Sequence, residues 1–547
     1  MEGAHNYPNS HDDFKYSHKM EIETNLDSNH SKIVKNFLMS QRKMNSKIVS
    51  SFHKNEPDID IIEEMNKVLS LMNETERNNI FGINPEIRHK NKSVLENLVK
   101  IRKELSKENI PLTKLKNILN NNIQNFIDKM IESLNTFKVD EQLECLWIIN
   151  NLVFYISKYN NISIDSNKIS NLLCDYLVKI ENSNQKNALI EKLYRIFGNL
   201  ISINVNTNKV LIDKNLINYI INSLNNPVVS FRISCLWLLN KILISLRKNN
   251  LTEYINHFIN ESAIYDYNLL FSRIKKIRIC FDEISEFFWM INELVKYHSF
   301  ILIPIFFTKT EDINNLDQKQ IDNSLRNFSF VLDNSLTNKM SQVSFRLISN
   351  LLVICNNDIK NEYLLTKFTE YFFERKNIIL FINDILNSPK NKYDISMVKD
   401  ALLLLFNLIC LSPIKSCIYF KKGIVNLISD RDFQVNKEIM KLLYKTYYRL
   451  LISNAYSFEP NDEKVIRACL SVIKRFKEDG NMLIFFNDIL YYYLKASRTN
   501  IDNEIEREIA SLRDEERIDI DKYLNMFLKL ANIARMNSPL SKFMRNL

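Results

Sequence analysis

Glycine and proline are so scarce in this chain, 5 Gly and 10 Pro among 547 residues, that tight turns cannot recur often along it. Sheet-rich folds need such turns frequently, because hairpins and meanders use left-handed or pre-set φ values. Helices are left as the main element. The glycines Gly3, Gly82, Gly198, Gly423 and Gly480 are also isolated from one another. That excludes a Gly-rich phosphate loop and a dinucleotide-binding turn.

Hydrophobic residues make up 46% of the chain and charged residues 25%, the composition of a folded protein with several domains' worth of core. Residues 1–62 are polar with little apolar period and read as a flexible arm. From "IDIIEEMNKVLSLM" onward the period becomes helical, with Ile61, Ile62, Met65, Val68, Leu69 and Met72 on one stripe. The folded part is expected over 63–495, followed by a charged helical cap over 496–547. The N-terminus "MEGAHNYPNSHDDFKY" has no apolar signal core, and no run of 18 apolar residues occurs. The expected location is therefore the cytoplasm or the nucleus.

Site chemistry is sparse. The 8 cysteines lie scattered in apolar runs without a C-x-x-C pair or a nearby histidine, so they are expected to be reduced core thiols rather than metal ligands. Five of the 8 histidines precede residue 55, and His89, His257 and His298 are far apart. No catalytic group, metal or cofactor is expected, and the reading is not an enzyme. The formal charge of +9 comes with abundant Asn and Lys throughout, so it does not argue for nucleic-acid binding.

A long helical chain invites a search for repeats. Apolar helices with a shared pattern recur as "LVKIRKELSKENIP", "CLWIINNLVFYIS", "LYRIFGNLIS", "CLWLLNKILIS", "FFWMINELVKY", "SFRLISNLLVI", "LLLLFNLICLS" and "IMKLLYKTYYR". Taking the phase of Asn151 as marker gives Lys103, Asn151, Asn199, Lys241, Glu293, Asn350, Asn407 and Tyr444, at intervals of 48, 48, 42, 52, 57, 57 and 37 residues. These straddle the roughly 40–47 residues of HEAT and armadillo repeats. The longer intervals leave room for insertions such as "TKTEDINNLDQKQIDNS" after Phe307. The expected fold is all-α, an armadillo/HEAT-like α-solenoid in which stacked repeats wind into a right-handed superhelix.

In "ECLWIINNLVFYIS", Trp147, Asn151 and Phe154 fall on one side of a helix while Leu146, Ile149, Val153 and Ile156 can face inward. Repeated along a solenoid, this would build a ladder of indoles and amides. Asparagine amides can hold an extended backbone through its N–H and C=O. Indole faces make slots for the stems and heads of Lys or Arg, at about 0.5–2 kcal/mol per good cation–π contact. Trp147, Trp237 and Trp289, all 3 tryptophans of the chain, share one phase of the repeat.

These residues resemble importin-alpha (karyopherin-alpha), the armadillo-repeat adaptor that carries basic nuclear localisation signals. The similarity spans about residues 62–480 and is strongest in "LVKIRKELSKENIPLTKLKNILNNNIQNFIDKMIESL", "CLWIINNL" and "IFGNLIS". In "FRLISNLL", Arg346 stands four residues before Asn350, where the family tends to replace Trp by Arg. The resemblance implies a peptide groove that includes Trp289, with Trp147, Asn151, Asn199 and Trp237 forming a better-preserved first site and Arg346, Asn350 and Asn407 a poorer second one.

It also implies that the basic arm, with Lys32, Lys35, Arg42, Lys43 and Lys47, binds importin-beta and competes for the cargo groove. The acidic stretch Asp502 to Asp521 would be an export-receptor contact, and the protein would shuttle between cytoplasm and nucleus. Departures from the pattern are Arg195 in place of Trp before Asn199, Lys241 after Trp237, Glu293 after Trp289, Leu403 before Asn407, and Ile203 where the family carries a cargo-pairing carboxylate. They keep a second reading open, a divergent armadillo scaffold with a different protein partner.

Overall fold

The computed structural model describes residues 60–475, apart from short stretches mostly between helices, together with Ile489. The arm residues Lys32, Lys35, Arg42, Lys43 and Lys47 and the region 496–547 lie outside the described residues. Within them the chain forms 21 α-helices and one 3-10 helix, with no strand. The chain divides into two compact units between Ile305 and Phe306, close in sequence to the long insertion expected after Phe307.

The first unit holds α1 (Ile61–Phe81), α2 (Ile87–Leu105), α3 (Leu112–Asn120), α4 (Ile123–Ser133), α5 (Val139–Lys158), α6 (Ser166–Ile180) and α7 (Lys186–Ile203). It continues with α8 (Asn206–Asp213), α9 (Leu216–Asn222), α10 (Val229–Lys248), α11 (Thr252–Ala263), α12 (Tyr267–Ile277) and α13 (Phe281–Val295). The apolar stripe of α1 is buried at Ile61, Met65, Val68 and Met72. In α5 the inward set Leu146, Ile149, Val153 and Ile156 is buried as its spacing predicts. Each longer helix packs on the next, α1 on α2, then α5, α7, α10 and α13, while α4, α6, α8, α9 and α11 form a second row in sequence.

A chain with so few glycines still has to turn between helices. Asn122, Asn215 and Asn250 do this at φ of 51°, 57° and 52°, a left-handed conformation that asparagine tolerates better than most residues. α10 is long and apolar enough by length and composition to cross a membrane. In the fold it is packed between α7 and α13.

The second unit holds α14 (Gln318–Ser335), α15 (Ser341–Ile354), α16 (Glu362–Glu374), α17 (Lys376–Asn387), α18 (Ile395–Leu411), α19 (Pro413–Ser429), α20 (Lys437–Ile452) and α21 (Glu463–Arg475). Here α14, α15, α18 and α20 pack in succession, and α16, α17, α19 and α21 form the accompanying row. Asp394 caps α18 by accepting from the Ser396 amide, Asn436 caps α20 by accepting from the Ile439 amide, and Pro413 opens α19. All eight cysteines are free. Five are buried, whereas Cys280 and Cys417 are half-buried and Cys410, in the last turn of α18, is exposed. The expectation of core thiols thus fails at those three positions. Burial raises the thiols of Cys145, Cys174, Cys235, Cys355 and Cys469 above the ordinary range, which makes them poor nucleophiles.

Candidate functional site

The residues of the expected groove sit on α5, α7, α10 and α13 of the first unit, at matching phases of successive long helices, and on α15 and α18 of the second. Trp147 of α5 is half-buried. Its indole receives two cations of the same chain, the Arg102 guanidinium from α2 at 5.3 Å and the Lys192 ammonium from α7 at 3.8 Å from the ring centroid. Arg102 is also bonded to Glu144 of α5, Nε to Oε2 at 2.5 Å. Burial holds the Lys192 ammonium below the ordinary lysine range; Glu191 and Glu144 oppose the shift, and Arg195 and Arg102 add to it. Asn151 is buried and donates from Nδ2 to Ser106 Oγ at 3.2 Å.

Arg195, at the phase where the ladder would carry an indole, lies buried on α7 and donates from Nε to Ser234 Oγ at 3.0 Å. Burial lowers its guanidinium to about 10, against the attraction of Glu191, Glu286 and Asp282. Its Cζ stands 5.0 Å from the centroid of Trp237 on α10, and Lys241 Nζ stands 5.8 Å from the same ring. Asn199 is buried and donates to Asn150 Oδ1 of α5 at 3.0 Å.

Trp237 is 1% exposed, so the expectation that its indole faces a peptide is corrected. The reason is Gly198: a Cβ built there would overlap Cζ3 of the indole. The missing side chain lets the ring lie directly on the backbone of α7.

Trp289 is likewise 1% exposed. Every residue of α13 from Glu283 to Leu294 is buried, so this helix presents no open face on which an indole could stand. Charge lines the seam between α10 and α13. Arg232 Nε meets Glu283 Oε1 at 2.5 Å, Asn240 Nδ2 donates to Glu286 Oε2 at 2.8 Å, and Arg247 Nε lies 3.4 Å from Glu293 Oε2. Lys296 Nζ reaches the other Glu293 oxygen at 2.9 Å.

In the second unit Arg346 of α15 is turned into an ion pair, Nε to Asp400 Oδ1 of α18 at 2.7 Å. Burial raises the Asp400 carboxyl although Arg346 pulls it down. Asn407 is buried and donates to Ser349 Oγ of α15 at 2.5 Å, and Asn350 is half-buried. The amides at Asn151, Asn199 and Asn407 thus each donate to a neighbouring segment of the packing. Asn199 and Asn407 do so in the same register, each reaching the residue just before the marker of the preceding helix, Asn150 and Ser349.

Sequence reasoning missed Arg102, Lys192 and Glu144 as neighbours of Trp147. For the two cations the signal was faint, since they stand on helices that flank the indole but lie 45 residues from it along the chain, whereas Glu144 is three residues before Trp147 on the same helix. No group of three or more His, Cys, Asp or Glu suited to a metal ion occurs among the described residues. The arrangement is one of buried contacts between helices, with a half-exposed edge at Trp147, Lys192 and Lys241.

No family model matches this sequence and no curated protein matches it. Solved structures do, 151 chains in all. Among them is the crystal structure of an engineered protein from the Northeast Structural Genomics Consortium, similar at TM-score 0.52 and 11% identity over 86% of this chain and 99% of that one. At that identity the likeness concerns the fold alone.

Proposed function

We propose that this chain is a divergent armadillo/HEAT-like α-solenoid, a right-handed superhelix of stacked helical repeats, that binds a protein partner along its long helices as an interaction scaffold. One observation carries this reading. Trp237 and Trp289 are sealed in the packing, and Trp147 is occupied by Arg102 and Lys192 of the same chain. Slots of this kind would have to exchange an internal cation for a lysine of the cargo, with nothing gained in cation–π energy. Like charges would also meet across the contact.

A second reading is an importin-alpha-like adaptor that recruits importin-beta through the arm, binds basic localisation signals and shuttles with an export receptor. The half-exposed Trp147 four residues before Asn151 on α5 favours it. Fluorescence anisotropy with a lysine-rich signal peptide at low ionic strength separates the two. The scaffold reading expects no binding by the full chain. Tight binding that is lost on Asn151→Ala with Asn199→Ala would replace it by the adaptor.

A further inference from the structure

Indoles and cations alternate across four consecutive helices of the stack. From α2 to α10 the order is Arg102, Trp147, Lys192, then Arg195, Trp237, Lys241, with Lys192 and Arg195 one turn apart on α7. Within this row the cations are not equivalent. Arg102 is neutralised by Glu144, and Arg195 is buried against Ser234 and Trp237. Lys192 is half-buried over its indole and makes no ion pair among the described residues. The two carboxylates beside it are engaged, Glu144 by Arg102 and Glu191 by the Ser230 hydroxyl at 3.0 Å. An ammonium stacked on a ring is attracted to the ring's face but is not neutralised by it, so it remains a partner for an anion.

We infer that the edge formed by Trp147, Lys192 and Lys241 takes an acidic, extended segment of a partner protein, with the Lys192 ammonium anchoring one of its carboxylates. This rests on the scaffold reading and adds the chemistry of the partner. Charge complementarity argues for the occupant: a basic peptide meets cations at both indoles, whereas an acidic one meets an ammonium that makes no ion pair among the described residues. Geometry sets its pattern. Stacked helices lie about 8–10 Å apart and an extended chain rises about 3.3 Å per residue, so carboxylates at every third residue would reach cations on successive helices. The exposed edge of Trp147 supplies an apolar wall for the residues between.

The test uses the full chain and two labelled peptides of equal length, one with Glu at every third position and one with Lys in its place. Anisotropy at low salt is expected to show binding of the Glu peptide only, weakening as salt rises. Lys192→Met keeps the stem on the indole and removes the charge, and should weaken binding about fivefold; Lys192→Arg should restore most of it. Lys241→Met gives a second, independent loss should Lys192→Met disturb folding, which circular dichroism reports. The inference is overturned if the Glu peptide fails to bind, or binds equally to the wild type and both Met variants. If neither peptide binds, the scaffold reading survives without it. If the Lys peptide binds through Asn151, the scaffold reading is what fails.

Discussion

Gly198 is the residue whose smallness decides the fate of an indole. It sits inside α7 against Trp237, and any Cβ would press into the ring. Helix propensity alone would make Gly198→Ala favourable by up to about 1 kcal/mol. Overpacking opposes this at about 1–3 kcal/mol, and because the ring is held on α10 between Arg195 and Lys241 it cannot easily retreat. Gly198→Ala is therefore expected to destabilise the first unit in urea titration, and adding Trp237→Leu should return part of the loss. A stabilised single variant would show that the ring moves freely. The phase of Trp147, Trp237 and Trp289 was legible in the sequence, because a helical period fixes which side of a helix a residue occupies. Whether the side chain stands up from that side or lies down on the next helix depends on the facing residue. Here that residue was a glycine 39 positions upstream, one of only 5 in the chain.

Between elements, the α10–α13 seam shows how charge can be buried inside a helical stack. Arg232 and Glu283 are among the most buried charged side chains of the described residues, and Arg232 Nη1 also donates to the carbonyls of Asn226 at 2.7 Å and Pro227 at 2.9 Å. One guanidinium thus ties the turn before α10 to the first turn of α13. Removing its carboxylate with Glu283→Leu should cost about 3–5 kcal/mol, since the guanidinium stays buried without its counter-ion, while adding Arg232→Met should recover much of that. Chemical denaturation of the two variants checks this, and equal stability of single and double variants would refute it. The long helices were readable from their apolar stripes, and their succession from the marker intervals. The seam was not, although Glu283, Glu286 and Glu293 stand out in a predominantly apolar helix. A carboxylate at such a position reads equally as solvent-facing until the opposing arginine is placed by the fold. The same holds for Arg346, whose partner Asp400 lies 54 residues on.

For the whole molecule, the distribution of tryptophan offers a direct view of how the two compact units behave. Trp147, Trp237 and Trp289 all precede Ile305, so indole fluorescence reports the first unit alone, whereas far-ultraviolet circular dichroism reports helices of both. Stacked helical units gain stability from their neighbours, so cooperativity extends as far as interfaces between them are strong. In the first unit successive long helices are joined by buried ion pairs and amide bonds from α5 to α13, including Asn199 to Asn150 and Arg232 to Glu283. In the second unit Arg346–Asp400 and Asn407–Ser349 both join the single helix pair α15 and α18. Urea titration is expected to give a single fluorescence transition and a broader dichroism transition that does not coincide with it, the mark of more than one cooperative unit. Glu283→Leu should move the fluorescence transition to lower urea and leave the remaining dichroism change in place. Coincident curves that shift together would mean instead that both units unfold in one cooperative transition.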